Sequence, residues 1–146
     1  MKRLFLLIAL CMPLTVSHAA ATDEAMTVVN RWMTAFGAGK VDDLVALYAT
    51  DALFFGTGSR TLVRDPAGIA AYFRQGAAAN QPVSAALDTH SIMQLSPETV
   101  LVTGLDTLTG ERDGVRSTNK GRVTFIISRR DGQWKIVHFH RSAVPG

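Results

Sequence analysis

The spacing of apolar positions changes once along the chain, near Val83. Before that point apolar residues recur three and four apart. Ala25, Val28, Val29, Trp32, Met33 and Phe36 share one helical face. Thr22 stands ahead of them as an N-cap, with Asp23 and Glu24 in the first turn. The stretch GAGK at 37–40 ends the helix. A second short helix over about Val41–Tyr48 turns Val41, Leu44, Val45 and Tyr48 to one side. TDALFFGTG then reads as a turn, a short strand and another turn. Asp65-Pro66 marks a helix start, with Asp as N-cap and Pro at the first helical position. This third helix carries Ile69, Tyr72 and Phe73 inward.

From Val83 the period is two. It predicts strands near Val83–Gln94, Thr99–Thr109, Arg116–Ser128 and Trp134–Ser142. The breaks SPE, GERDG and RRDGQ are short and turn-rich, which favours antiparallel neighbours. Helices first and a meander afterwards predict an α+β fold, with N-terminal helices packed on a curved antiparallel sheet. Long strands covered on one face by helices make a cone whose open end is a natural pocket.

The first residues fall outside this pattern. MKRLFLLIALCMPLTVSHAA has Lys2 and Arg3, an apolar run Leu4–Val16, and then small residues. That is the layout of a secretory signal peptide, and the run is shorter than the roughly 20 residues a bilayer requires. Residues 1–21 are therefore expected to be the signal, cut after Ala19 or Ala21. Residues 22–146 are expected to form one domain, periplasmic or secreted and without a membrane segment. Cys11, the one cysteine, leaves with the leader, so neither disulfide nor thiol supports the mature chain. Removing Lys2 and Arg3 lowers the formal charge from +3 to +1, so the basic pI of about 9.4 says little about partners. No basic run interleaved with aromatics points to nucleic acid. No repeat is present either.

The order helix, short helix, LYATDALFF, a Pro-started helix ending in AYF, then four long strands resembles the nuclear transport factor 2-like superfamily. RRDGQWKIVHFHRSAVP (129–145) resembles the final strand of the calcium/calmodulin-dependent protein kinase II association, or hub, domain. The resemblance covers nearly the whole of 22–146. It implies a cone that assembles as a dimer or larger ring through its outer sheet face. It also implies a pocket lined by arginines that favour small carboxylates. The arginine of HFHRS falls on Arg141. Asp106 and Phe125 stand where two further arginines would be, and no tryptophan follows AYF. Gly-rich phosphate loop and His-Arg-Asp signature are both missing, so kinase activity is not implied. Nor does a G-x-G-x-x-G fingerprint follow a strand, and no cofactor is expected.

The polar residues of the last strand divide by alternation. His138 and His140 share one face. An H-x-H pair offers two metal positions, with His90 as a conceivable third, but the spacing matches no metal motif and no metal is expected. The histidines, with Arg122, are instead assigned to a subunit interface. Arg141 alternates with Val137 and Phe139 and is assigned to the pocket, either as a carboxylate clamp or as the partner of Asp106. Asp106 is also a candidate general base, should it lie buried and alone; Asp88 has the same status with less reason. Tyr48 and Tyr72 lie on inward helix faces and join the pocket list, as does Phe139. Arg60 and Arg64 flank the turn before the third helix, where they either rim the pocket mouth or stand in a solvated loop. Two function classes fit: a secreted small-ligand-binding and oligomerisation module without chemistry, or a cofactor-independent isomerase, cyclase or dehydratase of the polyketide cyclase-like type using Asp106 or a histidine.

Overall fold

The structure is a computed structural model that describes residues 18–145. Most of the expected signal segment therefore lies outside the described residues. Three helices come first in order, interrupted by one strand: α1 (His18–Gly37), α2 (Val41–Val45), β1 (Tyr48–Phe55) and α3 (Pro66–Ala79). Four long strands follow: β2 (Gln81–Ser96), β3 (Thr99–Arg112), β4 (Val115–Arg130) and β5 (Gln133–Ala143). Among the described residues no helix is long and apolar enough to cross a membrane.

Two helix boundaries differ from expectation. Helix α1 already includes His18, and Thr22 is an interior residue whose hydroxyl donates to the carbonyl of Ala19 at 2.9 Å. The reason is burial: Ala21 is fully enclosed and extends the stripe Ala25–Val28–Val29–Trp32 by one turn. Helix α2 stops at Val45, and Tyr48 opens β1 instead of closing the helix. Helix α3 starts as predicted. The Asp65 carboxylate accepts from the Gly68 amide at 2.8 Å, and Pro66 supplies the first helical residue.

The five strands form one mixed sheet in the order β1-β5-β4-β3-β2. The antiparallel meander β2–β5 matches the period-two reading, and its two tight turns are Asp-Gly pairs. Asp113 and Gly114, and Asp131 and Gly132, all have positive φ, as two-residue hairpin loops demand. Strand β1 departs from a purely antiparallel sheet: it pairs with β5 in parallel. A parallel neighbour needs a long connection, and here α3 with three strands provides it.

The core lies between the inner sheet face and the helices. Trp32 of α1 stacks on Phe139 at 5.3 Å and meets Phe125 edge-on. Phe54, Phe73, Ile127 and Ile136 belong to the same cluster. Curvature enters at bulges. Between Leu87 and Thr89 the β2–β3 register shifts, and Gly104 faces the backbone of Thr89 there so closely that no side chain fits. In β5 a second bulge absorbs Val137: Ile126 faces His138, whereas Ile127 faces Ile136. Strict alternation would have put Val137 inside with Phe139. The bulge buries Ile136 instead and leaves Val137 half-buried. Beyond it, alternation resumes and sends Phe139 and Arg141 inward.

Candidate functional site

The cone holds a cavity of about 610 Å³ under α1 and α3, a size typical of small-molecule sites. Trp32, Phe36, Tyr72, Phe73, Leu108 and Phe139 make its apolar walls. Thr57, Asn80, Asn119 and Arg141 supply its polar end, with Gln75, Thr109, Ser117 and Thr118 nearby. Among the described residues no Asp, Glu, His, Lys or Cys lines it, and Tyr72 and Arg141 are its ionisable members.

Arg141 is 5% exposed and Asp106 0%. The two residues sit on β5 and β3, with β4 between them, and the guanidinium lies across that middle strand. Gly121 of β4, the register partner of Asp106, makes this possible. A Cβ at position 121 would fall 2.5 Å from Arg141 Cζ, so only glycine leaves the plane free. Arg141 Nε donates to both Asp106 oxygens, at 3.0 and 2.8 Å, and Nη2 lies 2.8 Å from Oδ1. Nη1 donates to Thr57 Oγ1 at 2.9 Å and to Asn119 Oδ1 at 3.1 Å; Nη2 donates to the Asn119 carbonyl at 2.8 Å. A guanidinium has five N–H donors and no acceptor. Every nitrogen of this one is held by protein oxygens.

Asp106 lies behind Arg141 and does not reach the cavity wall. Its expected role as a general base loses its geometry: the carboxylate is locked to a permanent cation and offers nothing to a ligand. The clamp expected of Arg141 is likewise closed, although the side chain does line the cavity. Tyr72 and Phe139 line it too. Tyr48 does not. Its ring packs edge-on against Phe54 and Phe139, and its hydroxyl accepts from Trp32 Nε1 at 2.9 Å. Burial pushes that phenol well above its ordinary pKa. Arg60 and Arg64 are exposed and stand away from the cavity, and Asp88 is exposed and accepts from Thr107 at 2.7 Å.

Thr57, Asn119 and Gly121 were not singled out in the sequence. A signal for the last two existed. Extending the inward set Val123–Phe125–Ile127 by period two gives Gly121 and then Asn119. Thr57 lies in the loop after β1, where no period applies.

On the outer sheet face a register row crosses all five strands: Leu53, His138, Ile126, Leu101 and Met93. Phe55, His140, Thr124, Thr103 and Ser91 form the next row. Met93 is 60% and Leu105 44% exposed on this face. His140 meets the ring of Phe55. Burial, and secondarily the neighbouring His140, lowers the His138 pKa below its ordinary 6.5. Arg122, exposed, donates from Nε to Ser142 at 3.2 Å. Among the described residues no group of three His, Cys, Asp or Glu could hold a metal.

Three helices on a curved mixed sheet, with a pocket between them, define a cone-shaped α+β domain of the nuclear transport factor 2-like type. More narrowly, the chain belongs to the SnoaL-like domain family, whose model matches residues 25–145. Among solved structures it is similar to a candidate calcium/calmodulin-dependent protein kinase II association domain from Xanthomonas campestris. That protein is 25% identical, with 88% of this chain and 89% of that one covered and a TM-score of 0.78. A ketosteroid isomerase-like protein from Erwinia carotovora atroseptica is 16% identical over 86% of this chain and 97% of its own, with a TM-score of 0.76. An NTF2-like protein with a cystatin-like fold from Novosphingobium aromaticivorans is 14% identical over 88% and 84%, with a TM-score of 0.73. The last two likenesses concern the fold alone. No curated protein matches the chain.

Proposed function

We propose that this protein is an exported, self-associating module that captures an uncharged ring compound in its cone and carries out no reaction of its own. One observation carries the reading: the cavity has aromatic walls and no free charge. Its single cation is consumed by Asp106, Thr57 and Asn119. A carboxylate entering the cone would shed its hydration shell and find no unspent donor on Arg141. An apolar ring gains from burial against Trp32, Phe36 and Phe139.

The second reading is a cofactor-independent isomerase, cyclase or dehydratase. Family membership and the ketosteroid isomerase-like neighbour speak for it. General acid–base work calls on a carboxylate, histidine, lysine, cysteine or tyrosine within reach of the substrate; of these the described lining offers Tyr72 alone, and its hydroxyl already accepts from the Gly58 amide at 3.3 Å. Binding is therefore favoured.

Association is proposed to use the outer sheet face, with His138, His140 and Arg122 inside the contact. The apolar row from Leu53 to Met93 supports it, as does the likeness to a candidate association domain. Export is proposed from the charged and apolar leader. Of the two candidate cuts, the one after Ala19 keeps the buried Ala21 in the folded chain.

Thermal shift on the mature protein tests the ligand reading. Tetralin and 1-tetralone are expected to raise the melting temperature by linkage, and tetralin-2-carboxylate to leave it unchanged. A shift with the carboxylate that vanishes in Arg141→Ala would overturn the proposal.

A further inference from the structure

We infer that the protein has a second binding site, outside the cone, for a soluble phosphate monoester. The site is a recess of about 510 Å³ between α1, the turn before β1 and the β4–β5 hairpin. Residues 20, 24, 27, 28 and 31 line it from α1, at the spacing of one helical stripe. Arg129 and Trp134 face that stripe. They are register partners, two residues beyond the buried pair Ile127 and Ile136, so alternation turns both toward the helix. Ala20, Ala46 and Gly132 are small and leave the space between open.

Unspent donors set this recess apart. Arg129 is half-buried, yet among the described residues its guanidinium has neither a hydrogen bond nor an ion pair. The same holds for the Arg31 guanidinium and the Trp134 indole N–H. Lys135 Nζ gives one hydrogen to the Ala46 carbonyl at 2.7 Å and keeps two. Against these three cations the lining sets one carboxylate, Glu24, which pairs with none of them. In the cone the protein closes its arginine with its own oxygens; here it leaves two open. Open guanidiniums call for an anion. A carboxylate, with two oxygens and one charge, leaves most of these donors unmet. A phosphate monoester brings three terminal oxygens and a charge of about −1.5 to −2 at pH 7, which suits the excess of positive charge. Trp134, with Val28 and Leu47, offers an apolar side to its organic part.

Isothermal titration of the mature chain with phenyl phosphate, phenyl sulfate and inorganic phosphate tests this. Wild-type protein should bind phenyl phosphate roughly tenfold more tightly than phenyl sulfate, which carries one charge fewer. Inorganic phosphate should bind more weakly than phenyl phosphate, for want of a ring against Trp134. Arg31→Gln and Arg129→Gln should each weaken phenyl phosphate binding by about tenfold. Glu24→Gln removes the one repelling charge and should strengthen it several-fold, a gain that no loss of folding can imitate. Saturation with 1-tetralone should leave the affinity unchanged, because the cone is a separate cavity. Absence of phenyl phosphate binding in the wild type, equal affinities for phosphate and sulfate, or indifference to both arginine substitutions overturns the inference. Competition with 1-tetralone overturns it as well, since the anion would then occupy the cone.

Discussion

Replacing Arg141 by Met should destabilise the protein by about 3–5 kcal/mol, and replacing Asp106 by Leu as well should restore most of the loss. The magnitude follows from who else serves each charge. Asp106 is fully buried, and among the described residues Arg141 alone bonds its carboxylate. Arg141→Met strands that buried carboxylate without its partner, and an unpaired buried charge costs about 3–5 kcal/mol. The oxygens released on Thr57 and Asn119 lie at the exposed mouth and rehydrate, adding about 1 kcal/mol at most. Asp106→Leu alone leaves the guanidinium with two cavity-side partners, so its cost should be smaller, about 2–3 kcal/mol. In the double variant both desolvation penalties vanish together, and its stability should fall within about 1 kcal/mol of wild type. Urea unfolding at pH 7 and one protein concentration measures all four corners of the cycle. Losses in the double variant equal to the sum of the single losses would refute the reasoning, because the pair would then contribute as two independent residues.

Gly121→Ala should cost about 2–3 kcal/mol by urea unfolding, since its Cβ would occupy the plane of the Arg141 guanidinium; a neutral effect would mean the guanidinium has another place to lie. Tyr48→Phe leaves the Trp32 indole N–H buried without its acceptor and should cost about 1–3 kcal/mol in the same assay, with no change in ligand affinity. His138 is lowered below its ordinary 6.5. Above pH 6.5 it is neutral in both states and contributes nothing. Below that pH the unfolded chain takes up the proton first, so stability should fall as pH drops, and His138→Gln should flatten this acid limb of a melting-temperature profile. On the outer face, Met93→Asp with Leu105→Asp should turn a dimer or larger assembly into a monomer in sedimentation velocity at micromolar concentration, and a monomeric wild type would end the association proposal.

Much of the architecture was legible because each element carried its own period. The helical stripe from Ala25 to Phe36, the Asp65-Pro66 start and the two Asp-Gly turns are local signals, and local physics formed them. The failures have particular causes. Thr22 can cap a helix, but the buried methyl of Ala21 outweighs a cap and carries the helix through it. Tyr48 keeps helical spacing with Val41 and Leu44, yet its hydroxyl goes to Trp32, a contact of long sequence separation. The bulge at Val137 leaves no mark in composition and changes which apolar residue is inside. In the site, alternation placed Arg141 and opposed it to the histidines. That its donors would all be spent was not legible, because the acceptors come from three separate segments: Thr57, Asp106 and Asn119.

That convergence is what turns a common fold into a particular pocket. By strand alternation alone Arg141 reads as an anion receptor in the cone. With Asp106 on β3 and glycine at position 121, the same side chain becomes a strut that joins three strands and the loop after β1. A second cation entering the cone, by substitution of a lining residue, would face no free carboxylate and would restore anion affinity without disturbing the strut. Phe125 cannot serve for this, because it is buried under Trp32. Ser117 can, since it lies on the cavity wall and on the exposed run of β4. Ser117→Arg should therefore create measurable binding of tetralin-2-carboxylate where wild type shows none, with 1-tetralone affinity little changed. If the carboxylate still fails to bind, charge is not what the closed guanidinium withholds, and the shape of the cavity excludes it instead.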